Sequence, residues 1–187
     1  MAILDYKNFK NAFDQIIFEK SKADILQKIS VQPARYIGLF RPTKPIAKLL
    51  QNLLQSHEIR FGNAFEAIIE MYFQIQQYVI LPKNYIDMNG NNLSIDHCLS
   101  KNDKLIFIEQ KVRDDHDSTK KRGQIENFEK KLFTIISQYP KQKITGIFYF
   151  IDPELFKNAK FYSNELNKIG KDYKVELHLF YGKQLFD

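Results

Sequence analysis

The sequence predicts an α/β fold in which a mixed central β-sheet of about five strands is flanked by helices and preceded by an N-terminal helical region. Apolar residues recur at helical spacing in the first part of the chain, and short apolar runs bounded by turn residues follow residue 78. The 187 residues, 44% of them hydrophobic, suffice for one sizeable core. We therefore expect a single domain over 1–187, with a helical region at 1–57 and an α/β core at 59–187.

The first part of the chain predicts helices. Apolar residues at mostly helical spacing in 5–29 indicate one or two amphipathic helices. Three prolines interrupt this spacing in 30–45, which we therefore expect to be a connector. Two further helices are predicted at 46–59 and 60–78, because apolar residues there return to a spacing of three and four.

Strands are predicted beyond residue 78. Three apolar runs occupy 78–82, 93–99 and 104–112. The segments between them, 84–92 and 100–103, contain Asn-Gly and Asn-Asp pairs that are typical of turns. The three runs therefore predict a meander.

The remaining elements alternate between helix and strand. A helix is predicted at 124–139, followed at 143–151 by a strand apolar enough to be buried on both faces. A second helix is predicted at 155–170, with Gly170 at its C-terminal cap, and a last strand at 174–182. The last two strands bring the predicted sheet to five.

The composition restricts the class of protein. A formal net charge of +6 favours an anionic partner such as nucleic acid. A single cysteine, Cys98, excludes an internal disulfide and a cysteine-rich zinc site. No run approaches the roughly 20 apolar residues of a membrane span, and the first residues lack the apolar stretch of a signal peptide. We expect a soluble, cytoplasmic protein without a membrane partner.

Carboxylates stand at the ends of two predicted strands. Asp96 ends one apolar run, and Glu109 ends the next, followed two residues later by Lys111. Strand alternation places Glu109 and Lys111 on the same face of the sheet, with Gln110 on the opposite face. Because the turn between the strands is short, Asp96 can approach Glu109. Carboxylate oxygens are the ligands that Mg²⁺ prefers, so the two acids and the lysine predict one pocket with a metal.

Two further considerations complete the predicted site. Glu109 directly follows a buried run, where an acid is costly unless it is paired or bound to a cation. Glu66, on the helix before the strands, is the expected third carboxylate, with Glu70 as the reserve choice. Lys111 either holds or deprotonates an attacking water, or stabilises negative charge developing on phosphorus.

These residues resemble a known signature. Asp96 followed by Glu109-Gln110-Lys111 resembles the D...(D/E)xK pattern of the PD-(D/E)xK nuclease superfamily, and the element order over 59–151 is similar to the core of that superfamily. Among its members the chain most resembles type II restriction endonucleases, although Ile95 stands where the signature has proline.

The resemblance implies a restriction-endonuclease-like core and magnesium-dependent hydrolysis of phosphodiester bonds in double-stranded DNA. It also implies that Asp96, Glu109 and Glu66 bind the metal, with Lys111 as the catalytic lysine. Mn²⁺ is expected to substitute for Mg²⁺.

The polar segment 112–124 is expected to leave the catalytic strand toward DNA. The predicted phosphate contacts are Arg113, Lys120, Lys121 and Arg122, and the predicted contacts to base edges are Arg113, His116, Asp117 and Gln124. The alternative is a solvated loop in which Ser118 or Thr119 caps the following helix. His97, next to Asp96 on a predicted strand, is expected to face away from it and to be packed.

Three functions remain open at this point. The leading hypothesis is a site-specific double-strand DNA endonuclease that acts as a homodimer, because one such site cuts one strand. The second is a repair, junction-resolving or nicking nuclease with the same core, and the third is a catalytically inert nucleic-acid-binding domain. The helices in 1–57 either dimerise, cover the sheet, or contact DNA through basic residues, namely Arg35, Arg41, Lys44 and Lys48.

Overall fold

The computed structural model describes residues 4–19, 21–37 and 43–187 and divides into two compact units, Met1–Tyr72 and Phe73–Asp187. The division falls inside a long helix, so the first unit extends further than the region 1–57 assigned from helical periodicity. None of the helices in the described part of the chain combines the length and apolar character needed to cross a membrane.

The first unit is helical, as predicted. Its elements are α1 (Tyr6–Phe13), a π-helical segment (Asp14–Glu19), α2 (Ser21–Val31), the short α3 (Ala34–Ile37) and α4 (Pro45–Ile75), whose last residues belong to the second unit. The predicted connector 30–45 therefore contains α3, and Arg41 lies outside the described residues.

The two helices predicted at 46–59 and 60–78 are wrong as separate elements, because α4 runs through both. Gly62 lies in its interior, where a glycine costs only about 1 kcal/mol relative to alanine. A helix of 31 residues tolerates that cost.

Contacts inside the first unit join the early helices to α4. The Phe13 ring meets the edges of Phe61 and Phe65, with centroids 5.7 and 5.4 Å apart. The Arg60 guanidinium donates to the Ile16 carbonyl at 2.9 Å and forms an ion pair with Asp24.

The second unit contains the predicted mixed sheet. Its strands in the described residues are β1 (Val79–Ile80), β2 (Asn84–Ile86), β3 (Asn92–Ser94), β4 (His97–Lys101), β5 (Lys104–Lys111), β6 (Lys143–Phe150) and β7 (Glu176–Tyr181). Five of them form one sheet in the order β1-β4-β5-β6-β7, while β2 and β3 form a separate hairpin. Pairings β1–β4 and β4–β5 are antiparallel, and β5–β6 and β6–β7 are parallel.

The hairpin differs from the predicted meander. The segment 84–92, predicted as a turn, contains β2, and its tight turn is confined to the residues around Gly90, whose φ is +79°. The Asp87 carboxylate accepts the backbone N–H groups of Asn89 and Asn91 at 2.9 and 2.8 Å, which stabilises that turn. The single strand predicted at 93–99 is divided, because Ile95 and Asp96 lie between β3 and β4.

Two helices complete the second unit. α5 (Ser118–Gln138) starts earlier than predicted, because the Asp117 carboxylate accepts the Lys120 N–H at 2.8 Å and acts as the N-cap. The expected caps Ser118 and Thr119 lie inside α5. α6 (Ala159–Tyr173) also contains its predicted cap Gly170, and its C-cap is Lys174, whose φ is 55°. A short 3₁₀-helix (Gly182–Leu185) follows β7.

The core of the second unit is aromatic. Phe128 of α5 stacks on Phe107 of β5 with centroids 5.0 Å apart, and Tyr162 of α6 stacks on Phe148 of β6 at 4.9 Å. These four rings are fully buried. β6 is buried along most of its length, as its continuous apolar run predicts.

We expect Gly146→Ala to destabilise the protein. Gly146 lies in the middle of β6, where an added Cβ would meet Leu177 Cδ2 at 2.5 Å and Phe128 Cζ at 3.3 Å. Overpacking of this kind typically costs about 1–3 kcal/mol in free energy of unfolding, which urea denaturation measures. The matched control is Gly123→Ala on α5, where nothing lies within 4 Å and the free energy of unfolding should stay equal or rise by up to about 1 kcal/mol. Equal stability of both variants would contradict the packing described for β6.

Candidate active site

Asp96 is held at the end of β5 by a backbone hydrogen bond. It directly precedes β4, and its Oδ2 accepts the N–H of Gln110 at 2.7 Å. The side chain is about one-fifth exposed (21%). The bond bridges the two neighbouring strands just beyond their last paired residues, His97 and Ile108. One face of the carboxylate is therefore fixed to the sheet while the side chain stays accessible to solvent.

Glu109 is fully buried and lies between two lysines. Lys111 Nζ donates to its Oε1 at 2.6 Å, and Lys131 Nζ donates to its Oε2 at 2.6 Å. The predicted common face of Glu109 and Lys111 is confirmed by the first contact. Lys111 Nζ also lies 4.0 Å from Asp96 Oδ2. The structure therefore brings Asp96, Glu109 and Lys111 together, as expected from their positions on the strands.

Lys131 was missed by the sequence reasoning. It lies on α5 with a buried side chain, and its ammonium lies 2.6 Å from Glu109 Oε2. A signal was present, because Lys131 stands three residues after Phe128 and four before Ile135, within the apolar stripe of the helix. A lysine on an apolar helix face indicates a buried acidic partner, since lysine is almost never buried unless paired.

The residues of the site fit a divalent cation of the magnesium type. The Lys111 ammonium occupies a position where both carboxylates attract positive charge, and carboxylate oxygens are hard ligands. No group of three or more His, Cys, Asp or Glu side chains suited to a metal lies among the described residues. Magnesium is commonly bound by one or two carboxylates together with water and substrate phosphate, so the pair Asp96 and Glu109 is a sufficient donor set.

Glu66 and the reserve choice Glu70 both lie on α4, in the first unit, and are half-buried. The role of Glu66 as a third metal ligand stays a prediction.

The segment after Lys111 is anchored by buried polar groups. Asp114 is fully buried, and its carboxylate accepts the backbone N–H and the side-chain amide of Asn158, both at 2.8 Å, and the Tyr181 hydroxyl at 3.0 Å. Burial and the charge of Asp114 raise the pKa of Tyr162 and Tyr181, so both phenols stay protonated at neutral pH. The sequence reasoning missed Asp114 and Asn158, which are far apart in the chain.

His116 is buried as well, at 7% exposure, which differs from the exposed position that a contact with base edges requires. Its Nδ1 lies 3.0 Å from the Tyr162 hydroxyl. Burial, and next the nearby charge of Lys120, lower the pKa of the imidazole, which is therefore neutral at pH 7. Asp117 is exposed, but its carboxylate is engaged in capping α5, and the backbone hydrogen bond from Lys120 lowers its pKa.

The remaining predicted DNA contacts lie at the start of α5 or just before it. Arg113, Lys120 and Arg122 are exposed, whereas Lys121 and Gln124 are half-buried. His97 is buried, with Nε2 3.4 Å from Gln110 Oε1, as expected for a packed histidine.

Comparison with known families shows which family the chain belongs to. The family model described as "Type II restriction endonuclease, HinfI" matches residues 74–187, which include the whole five-stranded sheet, α5, α6 and the residues Asp96, Glu109 and Lys111. No curated protein matches the chain. The resemblance to type II restriction endonucleases expected from the signature is confirmed. The chain therefore belongs to the HinfI family of type II restriction endonucleases and is a nuclease with DNA as its substrate.

Proposed function

We propose that this chain is a site-specific endonuclease that cuts both strands of DNA by magnesium-dependent hydrolysis of phosphodiester bonds. The observation that carries the proposal is the position of Lys111, whose ammonium lies 2.6 Å from Glu109 Oε1 and 4.0 Å from Asp96 Oδ2. Membership of the HinfI family supports the class of reaction and the DNA substrate.

Asp96 and Glu109 are the proposed metal ligands. A divalent cation held by them would supply positive charge to the scissile phosphate and make a water molecule more nucleophilic. Asp96 presents its carboxylate at the accessible side of the site while its Oδ2 accepts the Gln110 N–H. Glu109 Oε1 lies on the side of Lys111, which donates to it at 2.6 Å, while Oε2 faces α5 and accepts from Lys131.

Lys111 has a separate proposed role. Its side chain is partly exposed (22%) and carries a positive charge next to both carboxylates. A phosphate next to a cation held by the two acids would therefore lie close to the lysine ammonium. We propose that Lys111 stabilises the negative charge that develops on the phosphoryl oxygens in the transition state.

Lys131 positions Glu109 in this proposal. Its ammonium is buried and contacts the carboxylate oxygen that faces α5. The contact keeps Glu109 in one orientation and compensates its charge in the interior. Lys131 therefore acts through Glu109, away from the substrate.

Duplex DNA is proposed to bind through the exposed cations that follow the site, Arg113, Lys120 and Arg122, which can contact phosphates. Because one site of this kind cuts one strand, we propose a homodimer for cleavage of both strands. Glu66 remains the proposed additional acid from α4.

Asp96→Asn is expected to lower the rate of DNA cleavage by about 100-fold or more, because it removes a charge that the proposed metal requires. The amide oxygen of asparagine can still accept the Gln110 N–H, so the local structure should persist. Cleavage of bacteriophage DNA is measured on a gel with Mg²⁺ or with EDTA, and DNA binding is measured with Ca²⁺. The matched control is Asp115→Asn, which changes an exposed acid in the loop between β5 and α5.

Discrete fragments that form only with Mg²⁺ would support a site-specific endonuclease. Full cleavage by Asp96→Asn, or cleavage by the unaltered protein in EDTA, would contradict the assigned site. Nicked circles or cleavage of branched DNA alone would favour the nicking or junction-resolving alternative.

Lys131→Met should reduce the free energy of unfolding by about 3–5 kcal/mol, because it removes one of the two partners of a buried carboxylate. Urea denaturation measures the change. Glu109→Gln combined with Lys131→Met should recover part of this stability, because the neutral amide at position 109 no longer needs a cation from α5. The control is Lys120→Met on the exposed start of the same helix, which should change stability by less than about 0.5 kcal/mol. If Lys131→Met were as stable as this control, the buried ion pair would be refuted.

Lys120→Gln combined with Arg122→Gln should weaken binding to duplex DNA and reduce its salt dependence. The slope of log K against log salt should fall by about 0.9 for each phosphate that the variant no longer neutralises. Fluorescence anisotropy with a labelled duplex in Ca²⁺ measures both quantities. The control is Lys141→Gln combined with Lys143→Gln. It removes the same charge near the first residue of β6, at the end of that strand away from the active site. An unchanged slope would indicate that the start of α5 is a solvated helix end that does not contact DNA.

A further inference from the structure

A shallow depression lies between the starts of α5 and α6. It is lined by Lys121, Lys157, Asn158, Lys160, Phe161 and Asn164. Three of these side chains are cationic and none is acidic, so the depression carries positive charge. Its residues come from α5, from α6 and from the loop that precedes α6.

Buried hydrogen bonds join the two sides of the depression. Asn158 donates its backbone N–H and its side-chain amide to Asp114, and the same amide also donates to the His116 carbonyl at 3.0 Å. Asp114 further pairs with Phe156 in an isolated parallel bridge. The loop after β5 and the loop after β6 are therefore connected, which fixes α5 and α6 relative to each other at this end.

Lys121, one of the lining residues, is held in place by two uncharged groups. Its Nζ donates to Asn158 Oδ1 at 3.3 Å and lies 4.6 Å from the centre of the Phe161 ring. Neither contact neutralises its charge, because an amide and an aromatic ring are uncharged. Among the residues that the structure describes, Lys157 and Lys160 form no ion pair, and both are exposed. The three ammonium groups therefore remain available to an anionic partner.

The loops that lead to the depression leave the sheet at the same edge as the active site. Because β5 and β6 are parallel, the loops that follow them leave at the same edge, where Lys111 ends β5. The Ile151 N–H donates to the Lys111 carbonyl at 2.9 Å, and the Asp152 N–H donates to the Val112 carbonyl at 3.0 Å. A long anion bound at Lys111 can therefore extend toward the start of α6.

We propose that Lys121, Lys157 and Lys160 form a second phosphate-binding surface for duplex DNA, which extends the contacts of α5 onto α6. This inference rests on the proposed DNA cleavage and identifies a part of the substrate away from the scissile bond. Lysine ammonium groups and the exposed Asn164 amide suit phosphate oxygens, which carry no base information. The surface therefore contributes affinity and orientation, equally for any DNA sequence.

The test is the salt dependence of DNA binding by Lys157→Gln combined with Lys160→Gln. Both side chains are exposed, so retention of the fold is expected and is checked by thermal unfolding. Anisotropy of a labelled duplex of arbitrary sequence, with Ca²⁺ in place of Mg²⁺, gives the affinity at several salt concentrations. The expected result is weaker binding and a slope lower by about 0.9 for each phosphate that is no longer bound. The matched control is Lys168→Gln combined with Lys171→Gln, which removes the same charge from exposed positions later in α6 and should keep the original slope.

The outcomes separate this inference from the proposed function. If the unaltered protein cleaves DNA and the Lys157 and Lys160 variant keeps the original slope, the second surface is refuted and the nuclease proposal stands. An equal decrease of the slope in the control variant would also refute it, because the effect would then follow net charge alone. If the unaltered protein neither binds nor cleaves duplex DNA, the proposed function is refuted, and the second surface is refuted with it. Tighter binding to single-stranded RNA than to duplex DNA, abolished in the variant, would assign the surface to RNA and overturn the inference.

Discussion

The buried carboxylate of Glu109 is the constraint on which the rest of the second unit depends. An acid removed from water is destabilising unless positive groups compensate it. Lys111 comes from the same strand and Lys131 from α5, so compensation requires α5 to pack on β5 in one rotational setting. The same setting stacks Phe128 on Phe107, so the polar and apolar contacts of α5 agree with each other. Electrostatics and core packing therefore select one arrangement.

The sheet topology explains why the site is accessible although Glu109 is buried. The parallel pairing of β5 with β6 sends both following loops to one edge, and Asp96 reaches that edge from the turn before β4. Asp96 and Lys111 are partly exposed there, while Glu109 is held beneath them. A site with an interior anchor and an exterior face suits a large substrate that cannot enter a closed pocket.

Much of this arrangement was predictable from local patterns. The runs 104–112 and 143–151 predict strands because their apolar residues are continuous, and alternation alone places Glu109 beside Lys111. The division of 93–99 was not predictable, because apolar residues lie on both sides of it. At the break the Ile95 N–H donates to the Lys83 carbonyl at 2.8 Å, and the Asp96 carboxylate accepts the Gln110 N–H.

Distant pairings set the other limit to prediction. Asp114 meets Asn158 across 44 residues, and Lys131 meets Glu109 across 22. Each of these residues is polar and, taken alone, is typical of a solvated surface. Their burial follows from a partner that a single sequence does not identify. α4 likewise runs without a break through residues 59 and 60, where the sequence was interpreted as two helices.

The double contact of Glu109 also bears on the choice between the two acids that the signature allows at this position. Its side chain is long enough to reach Lys111 on the strand and Lys131 on the neighbouring helix at the same time. Aspartate is one methylene shorter and would draw the carboxylate back toward the backbone of β5. In this chain the distance between helix and strand therefore favours glutamate, and a change to aspartate during evolution would require α5 to move or Lys131 to be replaced.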